Sequence, residues 1–263
     1  KERVSSYVIR TEKRNVIDFK GDNLFKPRTT TLHFISWENN AGRELYEAVT
    51  DYVSRGYNRA IREKNYAAGF LMVLFQKLLT SSTAAIRSTL EKRLILLNEQ
   101  FDGDKEEILS EFLETDLMDE TEVKEFYQTM RTAGIEEIEK IRFLVDLAKK
   151  CEELGPDAKT EALLELIYKF SSEEGNPELK FLIFTEFTAT QKMLQQYLEN
   201  RGFTVAILNG SLGLEERIKV QRDFAGAVRV LISTDAGGEG INLQFCHIVI
   251  NYDIPWSPVK LEQ

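Results

Sequence analysis

Cysteine and histidine are nearly missing from this chain: its 263 residues hold two of each. Cys151 and Cys246 stand far apart and His33 and His247 add no ligand spacing, which excludes a disulfide framework and a metal cage. No apolar run approaches the roughly 18 residues that a membrane span needs. The longest runs from Ala67 to Phe75, and the start, Lys1-Glu2-Arg3, has no signal-peptide core. The expectation is a cytoplasmic chain with no membrane contact. A Gly-x-x-x-x-Gly-Lys-Ser/Thr phosphate loop is absent, and so is an Asp-Glu-x-His-type metal segment, so ATP-gripping chemistry of that kind does not reside in these residues. Positive charge is also short. A net charge of −9 excludes a chain that coats nucleic acid by bulk electrostatics, and any such binding must come from a local track of amides, hydroxyls and few cations.

Charge is unevenly spread. Residues 1–31 carry eight Lys or Arg against four Asp or Glu, whereas the rest is acidic, most densely from Asp102 to Glu125, which reads as a solvated helical face. Length suggests about two domains, and 43% hydrophobic residues support packed cores. Asp18 to Pro27 reads as a loop and Thr29 to Ile35 as one extended strand. From Asn39 the apolar spacing turns helical. Leu45, Val49, Tyr52, Val53 and Tyr57 recur at steps of three and four, as do Phe70, Leu71, Leu74 and Leu78, then Leu90, Leu94 and Leu97. Ile135, Ile138, Ile141, Val145, Ala148 and Cys151 continue the pattern, which predicts a helical bundle.

Gly155-Pro156-Asp157 ends that region, since proline cannot continue a helix and Asp157 can cap the next one. Beyond it, helices over 159–170, 190–200 and 214–224 alternate with strands over 180–184, 204–208, 228–233 and 247–252. Strands separated by single helices imply right-handed crossovers and a parallel sheet. Phe181-Leu182-Ile183-Phe184 and Ile248-Val249-Ile250 are continuous apolar runs, as expected of strands buried on both faces.

Chemistry concentrates at the predicted strand ends. Val230-Leu231-Ile232 runs into Ser233 and Thr234, at the carboxyl end where open α/β sheets place ligand crevices. Gly237, Gly238 and Gly240 follow, letting backbone N–H groups approach a ligand closely, a combination suited to phosphates. Phe184-Thr185-Glu186-Phe187 forms a second strand end, readable also as a helix cap through Thr188 or Thr190. Leu208-Asn209-Gly210-Ser211 with Glu215-Glu216-Arg217 forms a third. A helix N-terminus beside a free hydroxyl is a ready anion site, although a capped turn reads similarly.

Ser233 to Gln244 together with Val249 to Pro258 resembles the fifth helicase motif, and its extension, of Swi/Snf-type DNA translocases. The likeness is strongest to the RapA-like branch and runs from Leu179 to Gln263, with a weaker match over Arg3 to Tyr57. The implied fold class is α/β, a RecA-like parallel sheet flanked by helices, truncated, and preceded by an all-helical insertion. Residues 1–35 would be a tail from a first lobe, 36–155 a protruding helical insertion and 156–263 a second RecA-like lobe incomplete at its C-terminal end. The resemblance implies part of an ATPase that is stimulated by double-stranded DNA. Gly238, Glu239, Gly240 and Asn242 would bind nucleotide, and Thr185, Asn209, Gly210, Ser211, Arg217, Ser233 and Thr234 would bind DNA. Asn242 stands where DEAD-box helicases carry Asp, and Ser257 where family members often have Asn.

No catalytic residue and no metal ligand is expected within the chain. ATP and Mg2+ would serve the intact enzyme, with Mg2+ held mainly by the first lobe. The chain, which opens without Met and stops before the sixth motif with its two arginines, is expected to be an excised piece that neither hydrolyses ATP nor moves on DNA alone. Expected partners are double-stranded DNA, the first lobe of the same protein and, further, RNA polymerase or a defence-complex partner, in a cytoplasmic, nucleoid-associated setting. The alternatives are a lobe of an RNA-acting helicase and a catalytically dead interaction module.

Overall fold

The structure is a computed structural model that describes residues 29–35, 40–97, 120–234, 243 and 245–254. Residues 1–35 are a unit of their own, of which 29–35 run exposed without helix or strand. The strand expected over Thr29 to Ile35 is therefore not formed. β-branched residues favour extended backbone, but a strand needs a ladder partner, and this segment has none among the described residues.

The second unit, residues 36–263, begins, among the described residues, with five helices. They are α1 (Asn40–Glu63), α2 (Tyr66–Ser81), α3 (Thr83–Leu97), α4 (Glu120–Met130) and α5 (Ile135–Glu153). α1 and α2 form a hairpin across a tight turn in which Lys64 takes a φ of 54° and the Asn65 side chain accepts the Ala68 N–H. At Gly56 the two helices approach so closely that a Cβ would run into the Met72 side chain. Leu45, Val49, Leu71, Phe75, Ile86, Leu90, Phe126, Ile141 and Leu144 make one continuous core. Each such large side chain contributes about 1.5–3 kcal/mol by leaving water. The expected faces are present except at Tyr57 and Ile135, which are exposed.

Gly155, at φ 125°, turns the chain out of α5, and Asp157 accepts the Thr160 N–H at 2.7 Å to start α6 (Ala158–Glu173). Then come β1 (Phe181–Phe184), α7 (Thr188–Glu199), β2 (Val205–Leu208), α8 (Leu214–Ala225), β3 (Val230–Ser233) and β4 (Ile248–Asn251). All pairings are parallel, in the order β2-β3-β1-β4, with Phe184 opposite both Ser233 and Asn251 and Leu208 opposite Ser233. Side chains alternate across the sheet. Phe181, Ile183, Val230 and Ile232 pack on one face with Leu163 and Ile167 of α6 and Leu194 and Leu198 of α7. Leu182 and Leu231 pack on the other face with Phe224 of α8. The fold class is the expected one, a parallel sheet flanked by helices and preceded by a helical region.

β4 departs from expectation. It is the edge strand of the described sheet, its burial alternates, and Val249 is 52% exposed, so a continuous apolar run here does not mark burial on both faces. Central β3 is buried at every position.

Candidate functional site

The parallel arrangement brings the carboxyl ends of the four described strands to one edge of the sheet. Register puts Thr185, Asn209, Thr234 and Tyr252 one residue past the paired ends. The ladder runs on into this edge, with Thr185 N–H on the Ser233 carbonyl, Thr234 N–H on Leu208 and Tyr252 N–H on Phe184. These bonds hold the strand-end residues in place without using their side chains.

Those side chains differ in what they are free to do. Ser233 is buried and its hydroxyl donates to the Thr234 carbonyl at 2.9 Å. Thr234 is 2% exposed, and its hydroxyl has no hydrogen-bond partner among the described residues. A buried hydroxyl without a partner is costly, on the order of 1–3 kcal/mol, and such a group marks a place where structure is spent on something other than stability. Thr185 is 1% exposed and its hydroxyl donates to Asp253 Oδ2 at 2.5 Å. The helix after it has its N-cap at Phe187, with no side-chain capping bond, so neither Thr188 nor Thr190 acts as the cap. Thr190 is instead buried and bonded to Ser81 and Ser82 at 2.8 Å each.

Asn209, Gly210 and Ser211 form the turn between β2 and α8. Asn209 is buried and accepts the Ser211 hydroxyl at 2.7 Å, while Gly210 and Ser211 are exposed. Arg217 folds back over this turn, donating to the carbonyls of Leu212 at 3.1 Å and Asn209 at 3.4 Å. Glu216 accepts the Gly213 N–H at 3.0 Å, half of a capping box, and so places a carboxylate at the end of α8 that would otherwise draw an anion. Gly238, Glu239, Gly240 and Asn242, expected at the nucleotide, lie outside the described residues. So does Ser257.

Two residues that were not among the expected site residues join this edge. Gln191 of α7 is fully buried, donates to the carbonyls of Leu208 at 3.0 Å and Ile232 at 2.9 Å, and accepts from Asn209 at 3.0 Å. It fixes the ends of β2 and β3 together with the turn that carries Gly210. Asp253, two residues past the end of β4, gathers Thr185, Ser81, Lys159 and the Glu186 N–H. A lone amide on a helix carries no sequence signal of such a role, and Asp253, although it lies in the Val249 to Pro258 stretch, shows nothing of its partners there. Next to Asp253, the Tyr252 hydroxyl shares a hydrogen bond of 3.0 Å with Thr160, and burial pushes its phenol pKa well above the ordinary value.

Metal and nucleotide chemistry find little to build on at this edge. No group of three or more His, Cys, Asp or Glu among the described residues could hold a metal ion. Those residues include no phosphate-loop lysine either, so by themselves they do not fit a nucleoside triphosphate.

Residues 158–263, which carry this edge, match the helicase conserved C-terminal domain. This part of the chain is similar to helicase C-terminal domains. An uncharacterized ATP-dependent helicase, YqhH of Bacillus subtilis, is 38% identical over 117 residues, which is 44% of the chain and 20% of the relative. A putative SWI/SNF-related regulator of chromatin, subfamily A member 3-like 1 of Arabidopsis thaliana, is 33% identical over 40% of the chain and 12% of its own length. RNA helicases are among the matching proteins too. The chain thus spans about a fifth or less of the first two relatives. Among solved structures, the C-terminal part of the Fun30 ATPase domain aligns with 90% of the chain and 78% of itself, at 19% identity and a TM-score of 0.50. That likeness is one of fold and covers both the helical region and the helicase lobe. Residues 158–263 thus match a helicase C-terminal domain, and the relatives of the chain include a Swi/Snf-related protein.

Proposed function

We propose that the chain is the second lobe, with its helical insertion, of an ATP-dependent translocase of the Swi/Snf type, RapA-like branch, stimulated by duplex DNA. The observation that carries this reading is the orphaned Thr234 hydroxyl at the carboxyl edge of a parallel sheet inside a helicase domain. A phosphate oxygen is an acceptor that would satisfy it, and the exposed Gly210 and Ser211 lie at the neighbouring strand end. The helicase lobe supplies backbone contacts to the duplex, while Gly238, Glu239, Gly240 and Asn242 face the nucleotide cleft closed by a first lobe. ATP with Mg2+ is the fuel, bound mainly by that other lobe, and repeated closure and opening ratchets the two lobes along the duplex. Alone, the 263 residues turn over no ATP, because neither a phosphate loop nor the arginines of the sixth motif are present to stabilise the transferring phosphoryl group.

A second reading has its own support, since RNA helicases match the same domain. ATP turnover by the longer protein separates the two when it is measured with no nucleic acid, duplex DNA, single-stranded DNA and RNA. Duplex DNA as the strongest stimulant is the expected result. Strongest stimulation by RNA would transfer the lobe to the RNA helicases, no turnover in any condition would leave an interaction module, and turnover by the 263 residues alone would refute their inactivity.

A further inference from the structure

We propose that Asp253 is a positioning residue that locks the helical region to the strand-end edge, so that the carboxyl end of α2 and the ends of β1 and β4 keep their places together. Its carboxylate is 8% exposed and draws donors from four residues. Oδ2 accepts the Thr185 hydroxyl at 2.5 Å, the Ser81 hydroxyl at 2.8 Å and the Glu186 N–H at 3.1 Å. Oδ1 accepts the Lys159 ammonium at 2.7 Å.

Lys159 serves both sides of the seam. It also donates to the Thr80 and Ser81 carbonyls at the end of α2, at 3.0 and 3.3 Å, and lies 4.1 Å from the centre of the Tyr252 ring. The negative end of the α2 dipole and the Asp253 carboxylate thus share one cation. Around them stand the Lys77–Glu186 ion pair, the Ser81 and Ser82 hydroxyls on Thr190, and Phe187, which leaves the lobe to join the helical core.

An apolar contact would hold two packed parts as well, without the desolvation that a buried carboxylate and ammonium cost. What the polar seam adds is register. Three donors on one oxygen and one on the other can be met in a single arrangement, and that arrangement fixes Thr185, whose N–H bonds the Ser233 carbonyl next to Thr234. A shift of the helical region is thereby carried to the edge that, on the reading proposed above, meets phosphates. The apparent affinity of that edge then scales with the fraction of molecules in which the seam is closed.

Asp253→Asn tests this, because the amide keeps the size but replaces one acceptor oxygen with a donor. Amide hydrogen exchange is compared in the wild-type chain and the variant. Expected is a rise of at least about tenfold at Glu186, Ser82 and Ala85 together, on both sides of the seam, with Phe75 and Ile232 unchanged. A rise at Glu186 alone, or an equal rise everywhere, overturns the proposal. Lys77→Met, which cuts a different contact across the same seam, serves where Asp253→Asn does not fold, and is held to the same pattern. Duplex binding is the second readout: Asp253→Asn raises Kd about tenfold, as expected when a tenth of the molecules remain competent. Equal Kd in both proteins overturns the proposal. If the wild-type chain binds neither DNA nor RNA, the functional reading falls, and exchange alone still decides the seam.

Discussion

At Thr234, stability and function should move in opposite directions. Thr234→Val keeps the shape and removes a buried hydroxyl that has no partner among the described residues, so unfolding free energy should stay level or rise by up to about 1 kcal/mol in a urea titration. Nucleic-acid affinity should fall about tenfold by fluorescence anisotropy, because a hydrogen bond to a charged oxygen is lost. A variant both less stable and equal in affinity would make Thr234 an ordinary packing residue. Legibility in the sequence ran along the same line. Ser233 and Thr234 could be placed at a strand end because strand, hydroxyls and glycines are contiguous, and contiguity is what a sequence displays. Gln191 and Asp253 could not be read, since their partners lie 17 to 172 residues away and only the folded chain brings them together. Thr185 was placed correctly at its strand end, but its commitment to Asp253 depends on a residue 68 positions later.

Among the helices, the charge that decides stability is hidden. Arg93 is 2% exposed and pairs with Glu137 at 2.6 Å, while Tyr52 and Arg59 also donate to that carboxylate at 3.0 and 2.9 Å. Burial, opposed by the nearby Arg93 charge, leaves the Tyr52 phenol with a raised pKa. Glu137→Ala should cost about 3–5 kcal/mol by thermal or urea unfolding, because it strands a buried guanidinium whose Nε and Nη1 already lack partners. Adding Arg93→Met should recover most of that loss. The exposed Arg43–Glu47 pair at 2.8 Å provides the contrast, with less than about 0.5 kcal/mol expected for Arg43→Ala. Helical periodicity revealed where these helices lie and puts Arg93 on the Leu90–Leu97 stripe, but it does not show that its partner is Glu137, 44 residues later. For strands the signal was composition, and it misled at β4, where an apolar run sits on a sheet edge.

For the molecule as a whole, a net charge of −9 limits how it can hold a polyanion. With phosphates met mostly by neutral amides and hydroxyls, which displace few counterions, log K should fall only shallowly with log salt, at a slope of about −1 or less steep. Duplex binding measured from low to moderate salt checks this, and a slope steeper than about −6 would show a basic track that the described residues do not display. The alternating order of the lobe, and hence its parallel sheet, was legible because each strand and each helix announces itself within a short stretch of residues. The attachment of the helical region to the lobe was not.

The seam centred on Asp253 also sets a schedule for assembly. Ser81 and Asp253 are 172 residues apart, so their bond closes one of the longest loops in the chain, whereas the α1–α2 hairpin closes across a two-residue turn. On a ribosome, the helical core can be complete while its anchor has yet to be synthesised. Until then the end of α2 offers bare carbonyls, and Lys159, already made, can reach Thr80 and Ser81 without its carboxylate. β4 and Asp253 emerge long after the bundle they anchor and convert a loosely tethered bundle into a fixed one, so the order in which the chain is made is also the order in which its mobility is lost.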